Sequence, residues 1–322
     1  MLEHGGRLLA AAKRYRIAPQ DWIDLSTGIN PSAWPVPPIP AGLWQSLPQD
    51  DDELNGAARE FYDTGSLLAV AGSQAAIQAL PGLFARRSVA LAQTAYAEHE
   101  HAWRNHLLTR VPDAELMQCD ADVVIVINPN NPTGRLYSVE QLLALHERQA
   151  GRGGLLVVDE AFIDATPESS LAKFCPREGL IVLRSAGKFF GLAGARVGFV
   201  LAEQRILTML SEALGPWPIA APSRFVATQA LRDVAWHEAA RSALQLAGRR
   251  LETLLASHGL HPAGGCSLFQ WVRAADATRL HERLAMQGIL TRLYDEPASL
   301  RFGLPGSEAA WARLDAALKE AV

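Results

Sequence analysis

The chain has 322 residues, 49% of them hydrophobic and 20% charged, so it can bury the core of one large domain, alone or with a smaller one. Its formal net charge of −4, with both signs interspersed, argues against a nucleic-acid partner and gives no reason to expect a membrane partner. Three scattered cysteines are typical of reduced thiols, and the start of the chain lacks the pattern of a secretory signal. We therefore expect a cytoplasmic protein that acts on a small molecule.

The first 45 residues predict an N-terminal arm. A short helical pattern over residues 7–14 is followed by Asn30 and by five prolines between Pro31 and Pro40, which forbid regular structure. Asn30 could line a site, although an Asn–Pro pair taken alone is more typical of a turn. The acidic run at 50–53 then predicts no more than the start of a helix that ends at Tyr62, because carboxylates are favourable at a helix N-terminus.

A strand, a glycine and a helix follow one another closely in residues 67–84. The apolar run 67–71 predicts a short strand, and Gly72, Ser73 and Gln74 open a helical pattern over 75–84. Free backbone N–H groups at such a helix start, together with the Ser73 hydroxyl, form a candidate phosphate cradle. The alternative is that Ser73 is an ordinary helix cap.

The next predicted strand, 88–92, brings Tyr96 to the edge where a site would open. The Tyr96 ring could lie against a planar ligand, or it could belong to the core. A nearby group of acidic and histidine residues fits no standard metal-site spacing, so we expect a solvated helix start there and no metal site; the group is His99, Glu100, His101 and His106.

Two further buried strands are predicted at 123–127 and 155–158, with a helix over 139–149 between them. The first strand ends in the run Asn-Pro-Asn-Asn-Pro-Thr-Gly at 128–134, whose two prolines predict a rigid turn that holds the Asn131 amide. The second strand is followed directly by Asp159. Both residues therefore lie at the carboxyl ends of strands, where open α/β sheets bind ligands. A carboxylate buried there requires a cationic partner.

A strand predicted at 180–183 leads into a glycine-rich segment that contains Ser185, Lys188 and Arg196. An amine in a partly apolar setting tends to lose its proton, and a neutral lysine can attack a carbonyl and hold it as a Schiff base. Ser185 and Arg196 would flank an anion on the same molecule, which favours a phosphorylated aldehyde. A solvated loop is the alternative, whereas a P-loop is excluded because Val182 and Phe189 stand where that motif needs glycine and a hydroxyl residue.

The spacing of these residues supports a single site. Asn131 and Asp159 are 28 residues apart (159 − 131) and Asp159 and Lys188 are 29 apart (188 − 159), so each interval is about one strand–helix unit. An amide, a carboxylate and an amine are thus expected to reach one rim of a sheet in succession. Their convergence favours an enzyme site over a solvated loop.

The rest of the chain predicts a strand over 197–202, a helix over 204–214 and a long helical stretch over 224–258 with an interruption near Trp236. Strands at 267–272, 289–293 and 299–303 then alternate with helices over 277–287 and 308–321. Arg301 on the last strand could clamp a substrate carboxylate or form an edge salt bridge. We therefore expect an arm at 1–45, a large domain at 46–220 and a small α+β domain at 221–322.

Together these motifs resemble the fold-type I pyridoxal-phosphate enzymes, the aspartate aminotransferase superfamily, over essentially the entire chain. The resemblance implies an α/β fold with a mostly parallel central sheet, helices on both faces and a smaller α+β domain. It implies bound pyridoxal 5′-phosphate (PLP), with Lys188, Asp159 and Tyr96 as catalytic residues. Lys188 would bind the cofactor covalently, Asp159 would pair with its pyridinium nitrogen, and Tyr96 would stack on its ring.

The same resemblance assigns the remaining ligands. Asn131 would bond the phenolic oxygen of the cofactor, and Arg301 would clamp the substrate carboxylate. The cofactor phosphate would be held by five residues: Gly72, Ser73, Gln74, Ser185 and Arg196. Asp159 would keep the ring nitrogen protonated, which makes the ring an electron sink.

Within the superfamily, the run His4-Gly5-Gly6 and residues 24–31 resemble the branch of L-threonine-O-3-phosphate decarboxylases of cobalamin biosynthesis, near the histidinol-phosphate aminotransferases. This resemblance implies decarboxylation of a phosphorylated amino acid by a homodimer, with His4 at the substrate phosphate and Asn30 near the carboxylate. Leu47 and Phe162 depart from it, since relatives commonly have Tyr there, and Gly187 stands where Ser is frequent. Leu47 lacks the hydroxyl that relatives donate across the dimer to the cofactor phosphate.

Two other functions remain open at this stage. One is an aminotransferase that acts on histidinol phosphate or another amino acid. The other is a catalytically silent protein that keeps the PLP fold for binding or assembly, and the presence of both Lys188 and Asp159 disfavours it.

Overall fold

The fold is taken from a computed structural model, which describes residues 4–322. Met1, Leu2 and Glu3, on which the expectation of no secretory signal partly depends, lie outside the described residues. Within residues 4–322, no helix combines the length and the apolar character needed to cross a membrane.

Within the described part of the chain, the strands form three sheets. Their bounds are β1 Ile23–Asp24, β2 Leu68–Val70, β3 Ser88–Ala92, β4 Leu107–Val111, β5 Val123–Ile127, β6 Leu155–Asp159, β7 Leu180–Ser185, β8 Gly198–Leu201, β9 Gly264–Cys266, β10 Phe269–Arg273, β11 Ile289–Leu290, β12 Arg292–Tyr294 and β13 Ser299–Gly303.

The helices connect these strands and cover the largest sheet. Their bounds are α1 Leu8–Tyr15, α2 Leu54–Tyr62, α3 Ser73–Ala79, α4 Ala97–Ala102, α5 Asp113–Leu116, α6 Val139–Ala150, α7 Gln204–Leu214, α8 Ala221–Arg232, α9 Val234–Ser257, α10 Ala277–Met286 and α11 Glu308–Ala321.

The largest sheet has seven strands in the order β2-β8-β7-β6-β5-β3-β4. The five strands from β7 to β4 run parallel to one another, and β8 is antiparallel to both of its neighbours. The expected mostly parallel sheet is therefore confirmed. Every residue of β5, β6 and β7 is buried, which explains why these strands read as unbroken apolar runs in the sequence.

Alternate residues of the central strands enter two separate cores. Val124 and Val126 of β5 pack with α6 and α9 on one face, whereas Ile125 and Ile127 pack with α3 and α7 on the other. The sheet is thus covered by helices on both faces, and its functional edge is where β5, β6 and β7 end.

The second sheet is antiparallel, in the order β12-β13-β10-β9. Its strand β13 carries Arg301. The N-terminal arm joins this part of the chain, because β1 pairs in parallel with β11, with Ile23 opposite Ile289. The domain boundaries expected from the sequence stay a prediction, although this pairing favours an arm that belongs with the C-terminal residues.

Several local expectations need correction. The edge strand β4 was not predicted, because its mixed, largely exposed sequence lacks an apolar pattern. The expected strand 289–293 is two strands, and the helical interruption lies at Asp233, whose side chain caps α9 by accepting from the Trp236 N–H. The acidic run does more than start α2: Asp52 accepts two 2.6 Å bonds from Arg224 of α8.

A buried ion cluster lies on the face of the sheet opposite the cavity described below. Arg184 of β7 is 2% exposed; it donates to Glu160 at 2.6 Å and to Ser170 at 2.7 Å, and it also bonds Asp164. Glu160 is fully buried and accepts a further bond from the Leu171 N–H at 2.7 Å. Both carboxylates share the Arg184 guanidinium, so their attraction to it offsets part of the cost of removing these groups from water, although burial still raises the pKa of Glu160.

Replacing Arg184 with Met should strongly destabilise the protein. The substitution leaves Glu160 buried without a cation, and such a loss costs about 3–5 kcal/mol. Urea unfolding at pH 7 measures the change. The matched control is Arg232→Met, which removes an exposed ion pair with Glu53 and should cost no more than about 1 kcal/mol. Equal losses in the two variants would contradict the prediction.

Candidate active site

A cavity of about 390 Å³ opens at the carboxyl ends of β5, β6 and β7 and extends to β12 and β13 of the small sheet. This volume is in the range of small-molecule sites. All of the site residues predicted from the sequence line it, with the exception of Asn30. The strand ends of the large sheet thus meet the small sheet and the N-terminal arm at one place.

Lys188 follows β7, and its side chain enters this cavity. The Nζ atom lies 5.4 Å from the centre of the Phe162 ring. The pKa of Lys188 is lowered to about 8, mainly by burial and then by the positive charges of Arg301 and Arg196, which Asp159 partly opposes. The amine is therefore far easier to deprotonate than an ordinary lysine, as a nucleophile for aldehydes requires.

Asp159 ends β6 and is 3% exposed. Its partner is His99, whose Nε2 lies 2.8 Å from Oδ2, while the Ala161 N–H donates to Oδ1 at 3.0 Å. The expectation of a solvated helix start is therefore wrong for His99, which is only 1% exposed. Asp159 and Ser185 share one face of the sheet because Asp159 lies opposite Leu183, two residues before Ser185.

Asn131 is held between the two sheets. Its Oδ1 atom accepts bonds from Arg301 and, at 3.4 Å, from the Tyr294 hydroxyl. Arg301 also donates to the Ser26 carbonyl at 2.7 Å, and its Nε is buried without a hydrogen-bond partner within residues 4–322. Since Oδ1 is engaged twice, the Asn131 amide nitrogen is the atom left to donate to a ligand.

The turn between β2 and α3 faces Arg196. Gly72 has φ +75°, and a Cβ atom there would lie 2.7 Å from Nη2 of Arg196. Any side chain at position 72 would therefore displace the guanidinium. The Ser73 and Ser185 hydroxyls line the same part of the cavity. Two hydroxyls, a guanidinium and a helix start without a side-chain cap form a donor set suited to a phosphate group.

Tyr96 and Asn30 differ in their placement. Tyr96 lines the cavity, and burial raises its pKa to about 12, so the phenol is neutral at physiological pH. Asn30 lies outside the cavity: its amide nitrogen donates to the Phe189 carbonyl at 2.9 Å, and its Oδ1 accepts from the Ser32 N–H. Asn30 thus shapes a turn, and its backbone N–H bonds the Lys188 carbonyl. This geometry does not support the expected contact with a substrate carboxylate.

Comparison with known proteins agrees with this architecture. The sequence pattern described as aminotransferase class I and II matches residues 42–314. A threonine-phosphate decarboxylase from Pseudomonas aeruginosa is 54% identical over 322 residues, which cover 99% of this chain and 97% of that protein. The chain belongs to the aminotransferase class I and II family.

Solved structures within this fold are also similar. An L-threonine-O-3-phosphate decarboxylase from Porphyromonas gingivalis superimposes with a TM-score of 0.78 at 20% identity, covering 92% of this chain and 98% of that one. A histidinol-phosphate aminotransferase from Sinorhizobium meliloti, in complex with pyridoxal-5′-phosphate, gives a TM-score of 0.79 at 20% identity and covers 99% and 87%. These likenesses establish the fold.

Gly187 and Phe162, which stand where relatives frequently have Ser and Tyr, each change the hydrogen-bond donors around the cavity. A Cβ atom at Gly187 would lie 3.2 Å from the Ala193 Cα, so a serine there would require the turn to shift. Phe162 is buried against Phe269 and close to Lys188, and it offers no hydroxyl to the cavity. Tyr294 supplies a phenol from the small sheet instead, bonded to Asn131.

Sequence reasoning missed five residues of this site: Ser26, Glu98, His99, Arg292 and Tyr294. Arg292 and Tyr294 alternate on a short strand, and Arg292 lies directly opposite Arg301. The sequence did contain a signal for these two residues: Arg292 and Tyr294 lie on one face of a strand that directly precedes the strand of Arg301, so they could have been predicted to reach the same site. The contacts of Glu98 and His99 had no such signal, because they depend on how the short helix α4 is oriented.

The lowered pKa of Lys188 can be measured on protein from which the cofactor has been removed. Acylation of an amine requires its neutral form, so the labelling rate of Lys188 should level off above about pH 8. A lysine model peptide should still gain reactivity up to about pH 10.4. Mass spectrometry of the peptide that contains Lys188 gives the rates. A Lys188 rate that still climbs at pH 10 would contradict the burial argument.

Proposed function

We propose that this chain catalyses the PLP-dependent decarboxylation of L-threonine O-3-phosphate to carbon dioxide and (R)-1-amino-2-propanol O-2-phosphate. The observation that carries this proposal is the 54% identity, over nearly the full length of both chains, to a protein named threonine-phosphate decarboxylase. The cavity supports it with a separate group for each part of the cofactor and the substrate.

The residues fit PLP. Lys188 offers an easily deprotonated amine to the aldehyde, Asp159 offers a carboxylate to the pyridinium nitrogen, and the Asn131 amide can donate to the phenolic oxygen. The cofactor phosphate matches the donor set of Gly72, Ser73, Gln74, Ser185 and Arg196, and the Tyr96 ring would cover the cofactor. When bound, PLP supplies an aldehyde for the substrate amine and an electron sink for the bond that breaks.

The substrate has two anionic ends, and the cavity has cations for both. Arg301 is buried, its Nε has no hydrogen-bond partner among residues 4–322, and its guanidinium is suited to hold the carboxylate. His4 and Arg292 line the cavity from the arm and from β12, where they could hold the phosphate. This separation would fix the direction of the carboxylate, and that direction decides which bond to Cα breaks.

The chain's own residues then supply the proton chemistry. The carboxylate leaves as carbon dioxide and its bonding electrons remain at Cα, so one proton has to replace it there. Lys188 Nζ is the proton donor we assign to this step, since it lies in the cavity and its pKa of about 8 allows exchange near neutral pH. Asp159, held by His99, would keep the ring nitrogen charged throughout.

We further place the reaction in cobalamin biosynthesis and the enzyme in the cytoplasm. The resemblance of the N-terminal runs supports the pathway, and the three cysteines, all free, suit a reducing compartment. We also propose the division into an arm at 1–45, a large domain at 46–220 and a small domain at 221–322.

A homodimer is the proposed assembly. Large apolar side chains are exposed before α2 and before α8: Trp44 is 68% exposed, Leu47 64% and Trp217 53%. The helices α2 and α8 pack together, and the 41–44 turn also contacts α8, so these side chains belong to one region. Exposed apolar side chains grouped in this way favour association with a second protein surface.

The decarboxylase assignment predicts product and cofactor signals together. Purified enzyme with PLP and threonine phosphate should release carbon dioxide and yield aminopropanol phosphate, identified by mass. Lys188→Ala should lower turnover at least about 10³-fold, as when a covalent nucleophile is removed, whereas the exposed Lys173→Ala should not. Glutamate formed from 2-oxoglutarate at a comparable rate, without carbon dioxide, would instead identify an aminotransferase.

The dimer is tested with charge substitutions at its proposed surface. Trp44→Asp combined with Leu47→Asp should shift the protein to monomer in sedimentation equilibrium, because two charges would be buried without partners. Met286→Asp is the control, since Met286 is 65% exposed at the end of α10, away from this region. A wild-type chain that sediments as a monomer at micromolar concentration would refute the proposal.

A further inference from the structure

The Glu98 carboxylate lies beside the cavity and binds three donors from two other parts of the chain. Glu98 is the second residue of α4, and it is 9% exposed. Its Oε2 atom accepts from Gln74 at 2.7 Å and from Gln78 at 2.6 Å, both on α3, and its Oε1 atom lies 2.7 Å from His4 Nε2. A buried carboxylate held in this way has one fixed orientation.

The bonds to α3 fix the position of a cavity side chain. Gln74 and Gln78 are one helical turn apart and therefore share a face of α3. Because Glu98 accepts from the Gln74 amide nitrogen, the Gln74 oxygen is directed elsewhere, and it accepts from the Tyr96 hydroxyl at 3.3 Å. Glu98 thereby sets the orientation of Gln74 and of the Tyr96 phenol.

The bond to His4 fixes the N-terminal arm. With Nε2 engaged by Glu98, Nδ1 is the imidazole nitrogen left for a ligand, and the ring lines the cavity. The following residues have little freedom: the Gly6 N–H donates to the Ser26 hydroxyl at 2.8 Å, and a Cβ atom at Gly5 would lie 2.2 Å from the Ser26 carbonyl oxygen. That carbonyl also accepts from Arg301. Residues 4–6 of the arm are thus held by Glu98 at His4 and by Ser26 at Gly6.

We propose that Glu98 is a positioning residue that gives this site its preference for a phosphorylated amino acid. It holds the imidazole of His4 at the cavity wall. In the doubly protonated ring, Nε2–H donates to Glu98 and Nδ1–H can donate to a phosphate oxygen of the substrate. This inference rests on the proposed function. His4 is 42% exposed on its side chain and would otherwise sample many orientations, which weakens any contact it makes.

Two effects of Glu98 oppose each other, and the experiment separates them. As a bare negative charge, Glu98 would repel a phosphate dianion, so removing the charge would tighten binding. As the anchor of His4, its removal weakens binding. We expect the anchor effect to dominate because three donors hold the carboxylate at 2.6–2.7 Å, and one of them, the protonated His4 ring, carries a positive charge that offsets the negative charge of Glu98.

The test compares threonine phosphate with threonine on the holoenzyme. Glu98→Gln keeps the size of the side chain and one oxygen, which can still accept from Gln74 and Gln78, but its NH2 group cannot accept from His4 Nε2–H. Its KM for threonine phosphate should rise about tenfold, which corresponds to the loss of one charge-assisted hydrogen bond, while kcat changes little. Its KM for threonine should stay the same. The exposed Glu147→Gln, on α6, is the control and should change neither value.

His4→Gln should show the same selective loss, and the double variant should be no worse than either single one, since both remove the same contact. A tighter KM in Glu98→Gln, or an equal loss for both substrates, would overturn the proposal. Calorimetric binding of threonine phosphate and threonine gives the same comparison without turnover. An inactive parent enzyme would therefore refute the proposed function alone, and the ratio of the two affinities would still decide the role of Glu98.

Discussion

The structure depends on burying two consecutive carboxylates, Asp159 and Glu160, at the end of strand β6. Asp159 and Glu160 are consecutive, and because side chains of a strand alternate they enter opposite faces of the sheet. Glu160 binds Arg184 in the ion cluster, and Asp159 binds His99 in the cavity. Arg184 is likewise followed by Ser185, which faces the cavity. The ends of β6 and β7 therefore each have a structural charge on one face and a functional group on the other.

The placement of charges on the two faces explains why the amine of Lys188 can lose its proton easily although several charged groups lie near it. The ion cluster lies on the far face, and the charges that act on Lys188 are those of Arg301, Asp159 and Arg196 within the cavity. Among these, Arg301 and Arg196 oppose protonation of the amine more than Asp159 supports it, and burial acts in the same direction as the arginines. The cations suited to bind anions are thus also the groups that help to keep the lysine neutral. Burial makes the largest contribution to activating the lysine, and the arginines that are suited to bind anions add to it.

Much of this could be predicted from the sequence, because strand ends are local features. Unbroken apolar runs indicated β5, β6 and β7, and one residue within five positions after each run was expected at one rim, where Asn131, Asp159 and Lys188 do lie. What failed depends on tertiary contacts. Whether His99 faces solvent or Asp159 is decided by the orientation of a six-residue helix, and an Asn–Pro pair does not show whether Asn30 faces a ligand or the backbone. The edge strand β4 has too little burial to leave a periodic pattern.

The residues that sequence reasoning missed lie outside the strand ends of the large sheet, in the arm, α4 and β12. The cofactor-facing groups come from consecutive strand ends of the large sheet, so their spacing along the chain reflects their spacing in the fold. The groups proposed to hold the substrate phosphate come from the arm and β12, and Glu98, which bonds His4 of the arm, comes from α4; these elements are distant from one another in sequence. Their contacts, such as that between His4 and Glu98, exist only once the arm has crossed the sheet. Substrate preference can therefore change through the arm while the chemistry at Lys188 stays the same, and this is why selectivity, rather than turnover, is the informative measurement for Glu98.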